Sequence, residues 1–203
     1  GSIEPSATSE ASFSTNLNQD AELVPTATPG TFDINSPNET SNFSTSVNVY
    51  DSLGSQHQVS VYFTKTDGKT WDYNVVVQSG EVTSTPGTDL YKIGEGEASF
   101  DSNGELTGLT ATTGSGGNVT DGVGSMTTAN INWVDASQAN ITLDFDLTQY
   151  SGQSSLVSKT ENGYASGTLS DVSVDQNGII TGSYSNGQSR QLAQVGMAKF
   201  ANP

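Results

Sequence analysis

The sequence has 203 residues, of which 32% are apolar, 22 are glycine and none is cysteine. This length gives room for one large or two small domains, and the lack of cysteine excludes a disulfide scaffold, thiol catalysis and cysteine-bound zinc. Six basic residues against 22 acidic ones give a net charge of −16, which disfavours nucleic acid and anionic membranes as partners and suits an exposed, hydrated surface.

The first forty residues predict one strand followed by an irregular connection. Phe13 and Thr15 alternate with polar neighbours within residues 11–17, which is the period of an extended strand. Pro25, Pro29 and Pro37 then interrupt any regular pattern between residues 20 and 40. We therefore expect residues 3–40 to supply a strand and a long loop.

Residues 43–78 carry the clearest strand pattern of the chain. Apolar residues recur at every second position in three successive runs, and glycines 54 and 68 lie in the turns between them. This pattern predicts a three-stranded meander with one apolar face. With a later strand at residues 141–147 it gives the expected core, which consists of Val47, Val49, Val59, Val61, Phe63, Trp71, Val75 and Phe145.

The remainder of the chain predicts short strands separated by turns. We expect a hairpin around residues 101–104, strands at 131–133 and 141–147, and a final set at 169–174, 179–184 and 192–200. Residues 110–124 predict a mobile loop because they are rich in glycine, serine and threonine, and residues 149–162 predict an irregular surface path. Since no segment has the spacing of an amphipathic helix, the predicted class is all-β, an antiparallel barrel or sandwich.

The candidate chemical groups fit strands and turns better than a catalytic centre. His57, the single histidine, falls within an alternating strand, and Asp144 with Asp146 falls on a predicted solvent face. The segments from Asp51 to Gly54 and from Asp175 to Gly178 have the residues of tight turns. The latter and residues 101–105 resemble pieces of a calcium loop, but neither supplies the glutamate at its twelfth position. We predict no catalytic residue, no metal and no cofactor.

The aromatic residues leave a second class open, a carbohydrate-binding or adhesin-type module. Tyr50, Tyr62, Trp71, Tyr73 and Trp133 would suit a platform that stacks on sugar rings. The same residues also suit a small β core whose polar tips reach water, and the sequence favours this second interpretation.

Two stretches resemble a known family. Residues 46–65 read SVNVYDSLGSQHQVSVYFTK and are followed by Trp71, which resembles the segment V-x-V-[FY]-D-S-x-G-x-x-H-x-x-x-[VM]-Y-F-x-K…W of bacterial flagellar hook proteins. Asn-Gly-Tyr at 162–164, then DQNG at 175–178, GSYSN at 182–186 and QVGMAKFANP at 194–203, resembles the ending of the same family. Flagellar rod proteins share parts of this second motif, so the first motif decides between them.

The resemblance implies a structural subunit of the flagellar hook, the curved tube that acts as a universal joint between motor and filament. It implies copies of the same subunit, rod proteins and hook–filament junction proteins as partners, and an extracellular location reached without a cleaved signal peptide. A rod or other axial protein is the alternative within this class. The motif turns are placed by the resemblance at Asp51, Gly54, Asp175 and Gly178.

The resemblance also implies a domain organisation. Hook subunits carry terminal helical segments, which we expect to be missing here, and β domains stacked outward. We expect residues 3–40 to form an N-terminal strand and irregular connection. Residues 41–160 would form the outer β domain, and residues 161–203 a hairpin and strand of the adjoining inner domain. Without the tube-forming termini, we expect the 203-residue chain to be a monomer.

Overall fold

The structure is a computed structural model, and it describes residues 1–26, 28–84 and 87–196. These residues form fourteen strands and one 3-10 turn, Ser79–Glu81. The strands are β1 Ser2–Ile3, β2 Glu10–Asn16, β3 Phe43–Tyr50, β4 Gln56–Lys65, β5 Thr70–Gln78, β6 Leu90–Phe100, β7 Leu106–Leu109, β8 Ser115–Thr120, β9 Val123–Thr127, β10 Thr142–Thr148, β11 Ser155–Glu161, β12 Gly167–Val174, β13 Ile179–Tyr184 and β14 Ser189–Gln194. The predicted all-β class is confirmed.

The predicted meander forms the centre of a five-stranded antiparallel sheet in the order β3-β4-β5-β6-β7. Val47 lies directly opposite Val59, and Val61 lies opposite Val75, so one face of the sheet is continuously apolar. The predicted hairpin around residues 101–104 adds β6 and β7 to it. The local alternation in the sequence thus specifies which face of this sheet is buried.

A second five-stranded sheet has the order β11-β2-β10-β9-β8 and contains one parallel pair. β2 runs parallel to β10, with Phe13 beside Phe145, whereas its other neighbour β11 is antiparallel. The expected fold was an antiparallel barrel or sandwich, and this parallel pair is an exception within it. A parallel pair needs a long connection. Here the connection from β2 to β10 contains all five strands of the first sheet.

The two sheets pack face to face around Phe145. Its ring stacks on Phe13 with centroids 5.9 Å apart, contacts Phe63 edge-on at 6.2 Å and lies 5.3 Å from Tyr73. All eight residues expected in the core are buried, none exposing more than 4% of its surface. We call this pair of sheets the body.

Both open sides of the body are narrowed by contacts between the sheets. On one side β11 lies next to β3, where the Lys159 ammonium donates to the Ser46 carbonyl at 2.8 Å. On the other side β7 lies next to β8. At one end the Trp71 indole N–H donates to Gln149 Oε1 at 2.6 Å. The body is thus intermediate between a sandwich and a closed barrel.

A separate four-stranded sheet combines the two ends of the described chain in the order β1-β12-β13-β14. Val172 lies opposite Gly182 and Val174 lies opposite Ile180. One of its faces is apolar but uncovered among the described residues, since Val172 and Val174 are 48% and 60% exposed. We call this element the end sheet.

Three expectations about the middle and end of the chain need correction. Residues 115–127 form the hairpin of β8 and β9 and not a loop, because Asp121 and Gly122 take positive φ of 51° and 79° and close a tight turn. Residues 155–161 form β11, although their side chains are mostly exposed and so show no apolar period. The expected strand at 131–133 makes only isolated bridges. Of the expected last strand, 192–200, residues 197–200 lie outside the described residues.

Replacing Phe145 with alanine tests whether the body depends on this contact between its sheets. Because the ring is fully buried among Phe13, Phe63 and Tyr73, we expect Phe145→Ala to lower the free energy of unfolding by about 4 kcal/mol in urea titrations. Asp144→Asn on the opposite face of β10 is the control and should change it by less than about 0.5 kcal/mol. Equal losses in both variants would contradict this packing.

Candidate functional site: the Asp51 turn and the strand crossing

The first motif folds into a tight turn between β3 and β4. Asp51 Oδ1 accepts hydrogen bonds from the backbone N–H groups of Leu53 at 2.8 Å and Ser55 at 3.0 Å. Gly54 closes the turn at φ +83° and donates to the Asp51 carbonyl at 3.1 Å. The aspartate therefore supplies acceptors that the backbone of a tight turn lacks, and glycine supplies the positive φ.

The same turn occurs twice more among the described residues. Asp101 Oδ1 accepts from the N–H groups two and four residues later at 2.8 and 3.0 Å, and Asp175 Oδ1 does so at 2.8 and 2.9 Å. Gly104 and Gly178 take φ of +77° and +75° at the fourth position. The described residues contain no group of three or more acidic, histidine or cysteine side chains arranged to hold a metal. The carboxylates of these turns thus bind backbone N–H groups.

The Asp51 turn differs from the other two because His57 binds its second carboxylate oxygen. His57 Nε2 lies 2.8 Å from Asp51 Oδ2, and the imidazole stacks on Trp133 with centroids 4.0 Å apart and planes 9° apart. Burial alone would raise the pKa of Asp51, but hydrogen bonds from His57 and from the N–H groups of Ser55 and Leu53 lower this pKa below its ordinary value. The carboxylate is therefore ionised at neutral pH.

The second ring nitrogen of His57 faces another carboxylate. His57 Nδ1 lies 3.3 Å from Glu81 Oε2 in the 3-10 turn. Both ring nitrogens thus point at carboxylate oxygens, whereas a hydrolytic triad needs one of them directed at the nucleophile. The geometry makes this cluster a structural connection between three segments.

The Asp51 turn packs against the two segments that connect the body to the end sheet, residues 4–9 and 162–166. We call these two segments the crossing. A Cβ on Gly54 would lie 2.8 Å from the Pro5 side chain and 3.3 Å from the Ala165 backbone. Next to it, the Thr8 N–H donates to the Tyr50 carbonyl and the Tyr50 N–H donates to Thr8 Oγ1, both at 2.9 Å. Glycine is thus required by the close approach as well as by the positive φ.

The second motif begins in the same crossing. Glu161 Oε2 accepts from Thr8 Oγ1 at 3.0 Å and from the Gly163 N–H at 2.6 Å, and Asn162 Oδ1 accepts from the Ser9 N–H at 2.9 Å. A Cβ at Gly163 would lie 2.3 Å from Thr8 Oγ1. The crossing therefore brings the two family motifs together, although they are about a hundred residues apart in sequence.

Lys65, at the end of the first motif, holds the irregular connection to the opposite end of the body. Its ammonium donates to the carbonyls of Gln19 and, at 3.0 Å, Ala21, and it lies 5.9 Å from the centre of the Trp71 ring. The Lys65 N–H donates to Asn42 Oδ1 at 2.8 Å. This lysine, which is only 6% exposed, thus fixes backbone at Gln19 and Ala21 that belongs to no strand.

Some of these contacts were not predicted from the sequence. Two partners of His57, Trp133 and Glu81, come from distant segments, and so does the pair of Thr8 with Glu161.

Three of the five aromatics of the alternative sugar platform, Trp71, Tyr73 and Trp133, are buried. They pack in the core and do not form an exposed stacking surface.

No helix among the described residues is long and apolar enough to cross a membrane.

A body of two β sheets, locked at one end onto an open sheet, defines a structural β module. The sequence of this module identifies its family. Residues 16–164 match the family described as the flagellar basal body protein FlaE D2 domain, which is well over half of the chain. The chain belongs to the flagellar hook protein family.

Curated relatives agree with this assignment, and a solved structure shares the fold. The flagellar hook protein FlgE of Salmonella typhimurium is 32% identical over 195 residues, covering 96% of this chain and 43% of that protein. FlgE of Escherichia coli K12 is 30% identical with the same coverage. The crystal structure of Helicobacter pylori flagellar hook protein FlgE2 superposes with a TM-score of 0.52 at 14% identity, covering 96% of this chain and 67% of that one. The chain thus spans less than half the length of these curated relatives.

The three aspartate turns allow a matched test of the His57 contact. Asp101→Ala should cost roughly 1 kcal/mol of unfolding free energy, and Asp51→Ala about 3 kcal/mol, because it also leaves His57 without its closest partner. Urea titrations at pH 7 measure both. Since the pKa of Asp51 is held below 3.8, its contribution is present above pH 3.8 and is lost as the pH falls through the lower, folded-state pKa. The difference in the free energy of unfolding between wild type and Asp51→Ala should therefore become smaller in acid.

Proposed function

We propose that this chain is the outer β part of a bacterial flagellar hook subunit, a structural protein and not an enzyme. With other copies of the subunit it builds the curved extracellular tube that transmits motor torque to the filament. The observation that carries the proposal is the match of residues 16–164 to the FlaE D2 domain, because that stretch takes in every strand of the body after β2. Rod proteins and hook–filament junction proteins are the partners at the two ends of the tube, and export occurs without a cleaved signal peptide.

The physical character of the body suits a joint that flexes at every rotation. Its core is continuous from one sheet to the other, so that each copy is rigid. The chain carries a net charge of −16, so neighbouring bodies repel and meet through hydrated, readily exchanged contacts. Bending then occurs between subunits while the residue 43–78 meander keeps its shape.

We also propose that the end sheet belongs to the inner domain, which corresponds to the expected residues 161–203. The pairing of β1 with β12 supports this boundary, because it brings both ends of the described chain into one sheet. The strand expected within residues 3–40 is β2, which lies between β10 and β11, so it belongs to the body together with residues 41–160. The body therefore extends from about residue 10 to residue 161.

The uncovered face of the end sheet supports this assignment. A Cβ on Gly182 would lie 2.7 Å from Leu169 Cδ1 and 3.0 Å from Leu192 Cδ1, so these leucines share a face with Val172 and Val174. More than half of the length of the relatives lies outside the matched region. The occupant that we propose for this face is polypeptide of the same subunit from outside residues 1–203.

The first experiment is electron microscopy of polymers formed by the full-length gene product that contains these residues. Curved or supercoiled tubes are expected, and in a reconstruction the residue 43–78 meander should superpose between subunits on the inside and outside of the curve. Straight rods would transfer the assignment to the rod proteins. A meander that distorts along the curve would refute bending between rigid subunits.

The apolar face gives a second test on two lengths of the same protein. In the 203-residue chain, which we expect to be a monomer by light scattering, Val174→Asp should change the free energy of unfolding by less than about 0.5 kcal/mol, since Val174 is 60% exposed. In the full-length product the same change should prevent tube formation, whereas Ser173→Asp on the opposite face should not. A dimer of the short chain that Val174→Asp dissolves would instead assign the face to a second copy.

A further inference from the structure

Asparagine is followed directly by glycine at four places in the sequence, residues 103–104, 162–163, 177–178 and 186–187. Asparagine is a chemically labile residue, and a following glycine leaves its own backbone nitrogen unshielded because it has no side chain. That nitrogen attacks the asparagine side chain when the amide can turn toward it. Since all four places share the same reactive pair, the fold decides which of them can react.

Two of the four side chains are held by hydrogen bonds on both atoms of the amide, and both are held at the crossing. Asn162 Oδ1 accepts from the Ser9 N–H at 2.9 Å, and its Nδ2 donates to Ser9 Oγ at 2.9 Å. Asn186 Oδ1 accepts from the Gln188 N–H at 3.1 Å, and its Nδ2 donates to the Ala165 carbonyl at 2.8 Å. Each amide must break all of these bonds before it can turn toward the glycine nitrogen.

The other two side chains are exposed, and their amides make no hydrogen bond among the described residues. Asn103 and Asn177 occupy the third position of the Asp101 and Asp175 turns, and only their backbone N–H groups are bound, each to its turn aspartate at 2.8 Å. The N–H of the following glycine donates to the carbonyl of the same aspartate, at 3.1 Å in the first turn and 3.0 Å in the second. Local opening of that one hydrogen bond frees the nitrogen beside an amide that nothing holds.

We propose that Asn103 and Asn177 are sites of spontaneous deamidation and that the crossing protects Asn162 and Asn186. The glycine nitrogen forms a bond to the asparagine Cγ, the Cγ–Nδ2 bond breaks, and the proton of the glycine nitrogen passes through solvent to the departing ammonia. Water then opens the resulting succinimide at one of its two carbonyl carbons. Each site consumes one water and releases one ammonia, and the product is aspartate or isoaspartate.

The modification at Asn103 affects the end of the body that contains Trp71. Asp101 Oδ1 binds the N–H groups of Asn103 and Glu105, which lie on either side of the altered unit. Isoaspartate inserts one backbone carbon between these two N–H groups, so a single oxygen no longer meets both. The carbonyl of the turn glycine accepts from the Gln149 N–H at 2.9 Å, and the Gln149 side chain binds the Trp71 indole. Isoaspartate therefore loosens this end, whereas aspartate only adds a charge.

The test compares all four asparagines in one sample of the 203-residue chain. The protein is kept in mildly alkaline buffer made with oxygen-18 water and then digested in ordinary water, and peptide mass spectrometry measures the labelled product at each asparagine. In the folded chain, Asn103 and Asn177 should each give at least about ten times the product of Asn162 or Asn186, because hydrogen bonds hold the latter two amides. In concentrated urea the four should differ by less than about threefold, because only the shared reactive pair remains.

A variant removes one of the protecting bonds. Ser9→Ala deletes the acceptor of Asn162 Nδ2 and should raise the product at Asn162 about threefold, with Asn186 as the unchanged control in the same sample. Protein with isoaspartate at position 103 should also unfold at a lower urea concentration than Asn103→Asp, which carries the same charge on an unaltered backbone.

The proposal is refuted if Asn162 or Asn186 reacts as fast as Asn103 in the folded chain, or if the differences persist in urea. Equal unfolding midpoints for isoaspartate and Asn103→Asp would refute the effect on the Trp71 end. None of these measurements requires tube formation, so the proposed function is tested separately.

Discussion

The parallel pairing of β2 with β10 is the contact on which the rest of the structure depends. It places Phe13 beside Phe145, and that stacked pair is the surface on which Phe63 and Tyr73 of the other sheet pack. Among the described strands, β11 forms its backbone ladder with β2 alone, and the crossing starts where these two strands end. Because the paired strands are about 130 residues apart, the chain must close a long loop before this contact forms, which favours late formation during folding.

Regular alternation allowed the central sheet to be predicted from sequence, and its absence explains the errors elsewhere. The meander of β3 to β5 buries one face only, so its residues repeat with a period of two. β8 and β11 are mostly exposed on both faces, and no apolar period marks them. The parallel pair was missed for a different reason. β2 has the expected alternation, but a period of two identifies a strand and says nothing about its neighbours.

The site shows the same division between local and distant information. The Asp51 turn is encoded by five consecutive residues, since its aspartate and glycine satisfy the backbone of the turn itself, and it recurs at Asp101 and Asp175 for that reason. His57 is six residues from Asp51 and on the next strand, close enough for a local pattern. Its contacts with Glu81 and Trp133 depend on the packing of three segments, and only the folded chain brings them together.

The crossing has a consequence for how such proteins diversify. The chain enters the body at β2 and leaves it at β11, and Ala11 pairs directly with Glu161, so the two connections are one strand spacing apart, about 5 Å. The body is therefore an insertion whose two ends meet, attached to the end sheet through a single pair of adjacent strands. A cassette of this kind can be lengthened, exchanged or lost while the path of the remaining polypeptide stays the same.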